Sequence, residues 1–84
     1  MLILSDDVRE MLKSLDSDTR KLIGGEIRKY QDGMHVNIKK LRGKENMWRL
    51  TAGSWRIIIE TRQGEAEKIF EITDVIKRKE AYRR

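Results

Sequence analysis

The chain reads as one α+β domain: an N-terminal strand, a helical hairpin, then a twisted antiparallel sheet of about four strands ending in a short C-terminal helix or tail. Three observations predict this. Apolar residues recur at helical spacing up to Gly33 and at alternating spacing after it. Gly53-Ser54 and Gln63-Gly64 punctuate that second half at hairpin distances. The length of 84 residues leaves room for a single domain over positions 1–84. A chain this short buries only about 60% of its unfolded surface, so the core is modest.

Each element has its own signal. Met1 to Leu4 is a short apolar run that reads as an edge or central strand. Ser5 is a good N-cap, and Asp6 and Asp7 follow in the first turn, where the helix dipole favours anions. Val8, Met11, Leu12 and Leu15 then keep helical spacing. Asp16-Ser17-Asp18 breaks that helix and caps the next, whose apolar stripe is Leu22, Ile23, Ile27 and Tyr30. Gly33 stands where a C-terminal cap belongs. Gly24 and Gly25 fall mid-helix, and the expected reason is close approach of the first helix. Val36 to Leu41, Met47 to Ala52, Trp55 to Thr61 and Ala66 to Thr73 read as four strands, and Asp74 to Arg84 as a charged tail able to form a short helix.

Composition narrows the function classes. There is no cysteine, so disulfides and thiolate metal sites are excluded, which fits a reducing compartment. No apolar run approaches 18 residues, and Asp6-Asp7 directly follows the apolar start; a soluble, cytoplasmic protein is expected, with no membrane role. The net charge is +5, and it is uneven: positions 34–64 hold seven Lys/Arg against two acids, and the last ten hold five against one. Such clustering suggests a polyanion or an acidic partner.

The dipeptide Trp-Arg occurs twice, at Trp48-Arg49 and Trp55-Arg56, on either side of Gly53-Ser54. If Gly53-Ser54 is a two-residue turn, Ala52 faces Trp55, Leu50 faces Ile57 and Trp48 faces Ile59 on one side of the sheet. This face should lie under the helices, with the tryptophans as anchors. Thr51 opposite Arg56, Arg49 opposite Ile58 and Met47 opposite Glu60 share the other, open face. Arg49 and Arg56 are then diagonal neighbours, their Cα atoms roughly 7–8 Å apart. Two guanidinium groups held that close suit a phosphate; ordinary outward-facing charge, paired with Glu60, is the plainer alternative. In the tail, Arg78 and Tyr82 are spaced i, i+4, which on a helix brings them together, although packing at the C-terminus equally explains Tyr82.

"KKLRGKENMWRLTAGSWRIIIE", an acidic-apolar strand, then "KRKEAY" resembles the RelE/ParE toxin superfamily of type II toxin–antitoxin systems. The likeness lies in a Lys-Leu-Arg-Gly step, an aromatic-Arg-Leu strand, a Gly turn, Trp-Arg-Ile, and a closing Arg-x-x-x-Tyr. It spans the whole chain, the preceding helical hairpin included. The resemblance implies a ribosome-dependent, metal-independent mRNA endonuclease, in which the 2′-hydroxyl attacks the adjacent phosphate. Carried over by position, Arg49, Arg56, Arg78 and Tyr82 are the catalytic set. Lys39, Lys40, Arg42 and Lys44 around the basic step, with Lys77 in the tail, are RNA- or phosphate-binding. Preorganised cations of this kind stabilise a phosphorane that gains negative charge. The implied partners are a cognate antitoxin, the ribosome and mRNA, with operator DNA met only through the antitoxin.

The sequence departs from the family in two places. Thr51 stands where many RelE-type toxins carry Lys or Arg, and Ile76-Lys77 replaces a frequent Gly-His. A ParE-type inhibitor of DNA gyrase, or an attenuated or non-catalytic basic domain that binds nucleic acid or antitoxin, is the alternative these departures leave open. His35, the only histidine, reads as a solvated loop residue. No His/Cys spacing, carboxylate cluster or Gly-rich phosphate loop supports a metal or nucleotide site, and no cofactor is expected.

Overall fold

The computed structural model describes residues 1–77. Its elements are β1 (Leu2–Leu4), α1 (Asp6–Ser14), α2 (Ser17–Gln31), β2 (Ile38–Lys40), β3 (Met47–Ala52), β4 (Trp55–Gln63) and β5 (Lys68–Lys77). The five strands form one sheet in the order β1-β5-β4-β3-β2. All neighbours are antiparallel except β1, which runs parallel to β5 at one edge. A parallel pair needs a long crossover, and the helical hairpin supplies it.

Local chemistry sets the helix ends as the sequence suggests. The Ser5 hydroxyl accepts the Val8 N–H at 3.2 Å, and the Asp16 carboxylate accepts the Thr19 N–H at 3.1 Å. Each satisfies a first-turn donor that the helix itself leaves unpaired. Gly33 takes φ +73°, and the Met34 N–H bonds back to the Lys29 carbonyl at 2.9 Å, which closes α2.

The helices cover one face of the sheet, α1 over β5 and α2 over β3. The core is Val8, Ile23 and Ile27 from the helices against Leu50, Ala52, Ile57, Ile59, Ile72 and Val75 from the sheet. Full burial of an Ile or Leu contributes about 1.5–3 kcal/mol. Tyr30 and Phe70 meet edge to face at 5.3 Å beside this core.

Several expectations are corrected. Gly24 and Gly25 make no close approach, since a Cβ at either would meet nothing within 4 Å. The buried stripe of α2 is Ile23 and Ile27, so the adjacent glycines face away from the sheet. Trp48 and Trp55 are half-buried at the margins of the core, whose interior is aliphatic. Strand β2 is only three residues long. Asp74 to Lys77 is strand, not the start of a tail helix, because it completes the pairing of β5 with β4 down to Trp55 opposite Lys77.

Strand β5 carries one irregularity. Ile58 faces Asp74 while Ile59 faces Ile72, so Thr73 is an extra residue in the ladder. Its hydroxyl donates to the Ile58 carbonyl at 3.4 Å. A bulge of this kind re-aims the side chains around it.

Candidate functional site

The β3–β4 register is the one the turn chemistry implies. Trp48 faces Ile59, Arg49 faces Ile58, Leu50 faces Ile57, Thr51 faces Arg56 and Ala52 faces Trp55. Gly53 has φ +61°, which a two-residue hairpin turn requires and few other residues tolerate. A Cβ there would also come within 3.0 Å of Leu22 on α2, so the turn is held against the helix.

Leu50, Ala52, Ile57 and Ile59 are buried under the helices. Alternation therefore sends Arg49, Thr51, Arg56 and Ile58 to the open face, where all four are half-buried. Arg49 and Arg56 are diagonal neighbours. Lys39 on β2 is directly opposite Arg49 and joins the same face. One row across the sheet is thus Lys39, Arg49, Ile58 and Asp74; the next holds Thr51, Arg56 and Ile76. Among the described residues, neither Lys39 nor Arg49 has an acidic partner.

Besides Asp74, two further acids lie on this face, at its other end. Glu60 and Glu71 are directly opposite each other, and each is engaged. Glu71 pairs with Arg62 at 2.7 Å, and Glu60 accepts from the Asn46 side chain at 3.2 Å. Glu60 is therefore held by Asn46; of the alternative pairings expected for it, with Arg49 or with Arg56, the one with Arg49 does not form.

The remaining basic candidates do not join Arg49 and Arg56. Lys40 is opposite Trp48, on the helix-covered side, and its ammonium lies 5.9 Å from that ring's centre. Lys77 is opposite Trp55, 6.0 Å from its ring. Both are cation–π placements at the rim of the core. The resemblance placed Lys39 and Lys40 together in the RNA-binding basic step, yet adjacent strand residues point to opposite faces. Arg42 and Lys44 sit in the exposed loop between β2 and β3, where Lys40 to Glu45 line a shallow open hollow. Arg78 and Tyr82 lie outside the described residues. His35 is exposed between α2 and β2. Among the described residues no three His, Asp or Glu side chains converge as a metal-binding group, and no helix is long and apolar enough to cross a membrane.

One residue of this face was missed in the sequence. Asp74 reads as the start of a charged tail, and only the bulge at Thr73 brings it into the row of Arg49. No local signal marks a bulge there.

No family model and no curated protein matches the chain. Among solved structures it is similar to a chain of the RelB-RelE antitoxin-toxin complex from Methanococcus jannaschii. That match has a TM-score of 0.68 and 27% identity, over 95% of this chain and 94% of that one. The fold is RelE-like. A chain of the archaeal RelE-RelB complex from Pyrococcus horikoshii OT3 shares it, with a TM-score of 0.66 and 20% identity over 92% of each chain.

Proposed function

We propose that the chain is a RelE-like toxin that cleaves mRNA on the ribosome and is neutralised by a cognate antitoxin. The observation that carries this reading is the placement of Arg49 and Arg56 as diagonal neighbours on the face of a RelE-like sheet that the helices leave uncovered. Arginine stays protonated at any accessible pH, so the pair clamps charge and does not take up protons. The scissile phosphate lies between the guanidinium groups, and the 2′-hydroxyl attacks it to form a phosphorane with added negative charge. Fixed cations favour that state over the ground state, which is what accelerates the step. Lys39 adds to the field from the adjacent strand. Arg78 and Tyr82 complete the set in this proposal, with Tyr82 assisting proton transfer. Arg42 and Lys44 serve the RNA backbone from their loop, while Lys40 and Lys77 act at the rim, away from the clamp. Operator DNA is met only through the antitoxin.

Thr51 supports a second reading. It faces Arg56 at the position where a third cation is expected, and a gyrase-directed toxin has no need of one. Expression in cells followed by primer extension on mRNA separates the two. Cleavage within translated codons, abolished by Arg56→Ala in a folded protein, is the expected result. DNA damage with intact mRNA, or full toxicity of the Arg56→Ala variant, overturns the ribonuclease reading.

A further inference from the structure

Asp74 is on the open face because of an irregularity, not because of the alternation. Ile72 and Val75 are both buried, although three positions apart in a strand. Regular pleating would turn Asp74 inward with Ile72 and leave Val75 exposed. The extra residue Thr73 reverses the phase, so Thr73 and Asp74 both fall between the two buried positions, on the uncovered side. Asp74 is exposed, opposite Ile58 and diagonal to Arg56. Its Oδ1 accepts the Val75 N–H at 2.9 Å, which fixes the carboxylate relative to the strand.

A carboxylate in this place weakens the hold of the arginines on any phosphate. An ionised carboxylate is an acceptor only, so what it recognises must donate a hydrogen bond. Two strand spacings separate Asp74 from Arg49, about 10 Å between Cα atoms, with the half-buried Ile58 as an apolar floor between them. That span accommodates one sugar-phosphate unit. Its phosphate lies toward Arg49 and Arg56, its ring over Ile58, and its sugar hydroxyl toward Asp74.

We propose that Asp74 recognises the ribose: its carboxylate accepts a hydrogen bond from the 2′-hydroxyl of the nucleotide whose phosphate lies at Arg49 and Arg56, so the site prefers RNA to DNA. This rests on the phosphate reading of the two arginines.

Three strands of one short sequence test the assignment: RNA, 2′-O-methyl RNA, which keeps the oxygen but lacks the donor, and DNA. Each is titrated by fluorescence anisotropy against wild type, Asp74→Ala and Arg56→Ala. Wild type should bind RNA about tenfold more tightly than either analogue, the usual size of a charge-assisted hydrogen bond. In Asp74→Ala the ratio should fall to about one, mainly through weaker RNA binding, while DNA and 2′-O-methyl RNA bind at least as tightly as before because a negative charge has gone. A merely structural role for Asp74 would lower all three affinities together. If the strands bind through Arg56 with no preference, or if Asp74→Ala keeps the preference, the ribose assignment is wrong and the phosphate clamp stands. If Arg56→Ala changes no affinity, or if wild type binds none of the strands, both fall.

Discussion

Thr51→Lys tests the phosphate clamp more sharply than any deletion, because it predicts a gain. The Thr51 N–H bonds to the Asn37 carbonyl on the β2 side at 2.9 Å. Thr51 and Arg56 are therefore a non-hydrogen-bonded pair, whose Cα atoms approach to about 4.5 Å and whose side chains lie closest of any cross-strand pair. A lysine at 51 places its ammonium on the same phosphate as Arg56. Only the charge that appears in the transition state counts toward rate, about one unit for the phosphorane. At a separation of about 4 Å, one added cation is worth roughly 1 kcal/mol in bulk water and about 4 kcal/mol at an effective dielectric of 20. Position 51 is half-buried, so the gain lies between these limits. About 1.4 kcal/mol is tenfold in rate, so cleavage should rise by about one order of magnitude and by no more than three. A like charge beside Arg49 and Arg56 costs up to about 1 kcal/mol of stability. The assay is therefore single-turnover cleavage on programmed ribosomes at matched concentrations of folded protein. A folded, ribosome-bound variant that cleaves no faster than wild type would show that position 51 does not face the scissile phosphate, and the clamp at this strand would have to be abandoned.

Other consequences concern stability. Gly24→Ala and Gly25→Ala should each stabilise by about 0.5–1 kcal/mol, since both sites are helical, exposed and open. The melting midpoint should rise by about 4–8 °C per kcal/mol in a domain of this size, and a fall would reveal a contact on that face. Trp48→Ala and Trp55→Ala should cost about 2 kcal/mol each, less than the roughly 3–5 kcal/mol of a fully buried aromatic, whereas Ile57→Ala, at 0% exposure, should cost about 3–4 kcal/mol. Urea midpoints that reverse this order would put the tryptophans at the centre of the core. Burial raises the pKa of Tyr30 above its ordinary 10.0. The associated stability is complete below pH 10 and is lost as pH climbs through the raised value. Tyr30→Phe keeps the ring against Phe70 and should remove that alkaline loss in denaturation measured from pH 9 to 12; an unchanged alkaline limb would assign it to another group.

What the sequence made legible followed from rules of short range. Ser5 and Asp16 mark their helix starts because an unpaired N–H needs an acceptor within one turn. Gly53-Ser54 sets the β3–β4 register because a two-residue turn leaves no freedom, and that register alone puts Arg49 and Arg56 on one face. Long-range terms were not legible. The parallel docking of β1 on β5 depends on a partner some 70 residues away in the chain. The bulge at Thr73 obeys the need to bury both Ile72 and Val75, which no window around Thr73 reveals. Lys40 and Lys77 look like site residues by charge, but the two-residue period of a strand commits them to the tryptophans.

The open face holds two like-charge pairs set directly across from each other, and the difference between them supports the proposed phosphate clamp. Glu60 and Glu71 repel, yet Arg62 forms an ion pair with Glu71 and the Asn46 side chain donates a hydrogen bond to Glu60, so each carboxylate has a partner within the fold. Lys39 and Arg49 repel across β2 and β3, with Arg56 diagonal to Arg49, and among the described residues no acid answers either member of that pair. Like charges directly opposite in a sheet destabilise it by a few tenths to about 1 kcal/mol. Elsewhere among the described residues such groups are answered: the helix N-caps are filled, Arg62 pairs with Glu71, and no buried side-chain polar atom lacks a partner. Where the described residues are otherwise locally consistent and leave one conflict unanswered, an anion at the proposed clamp is a compensation that fits. The conflict is between cations, on a rigid sheet, on the face the helices leave uncovered. An anion bound there removes the repulsion as it binds, and a transition state with more negative charge removes more of it than the ground state does.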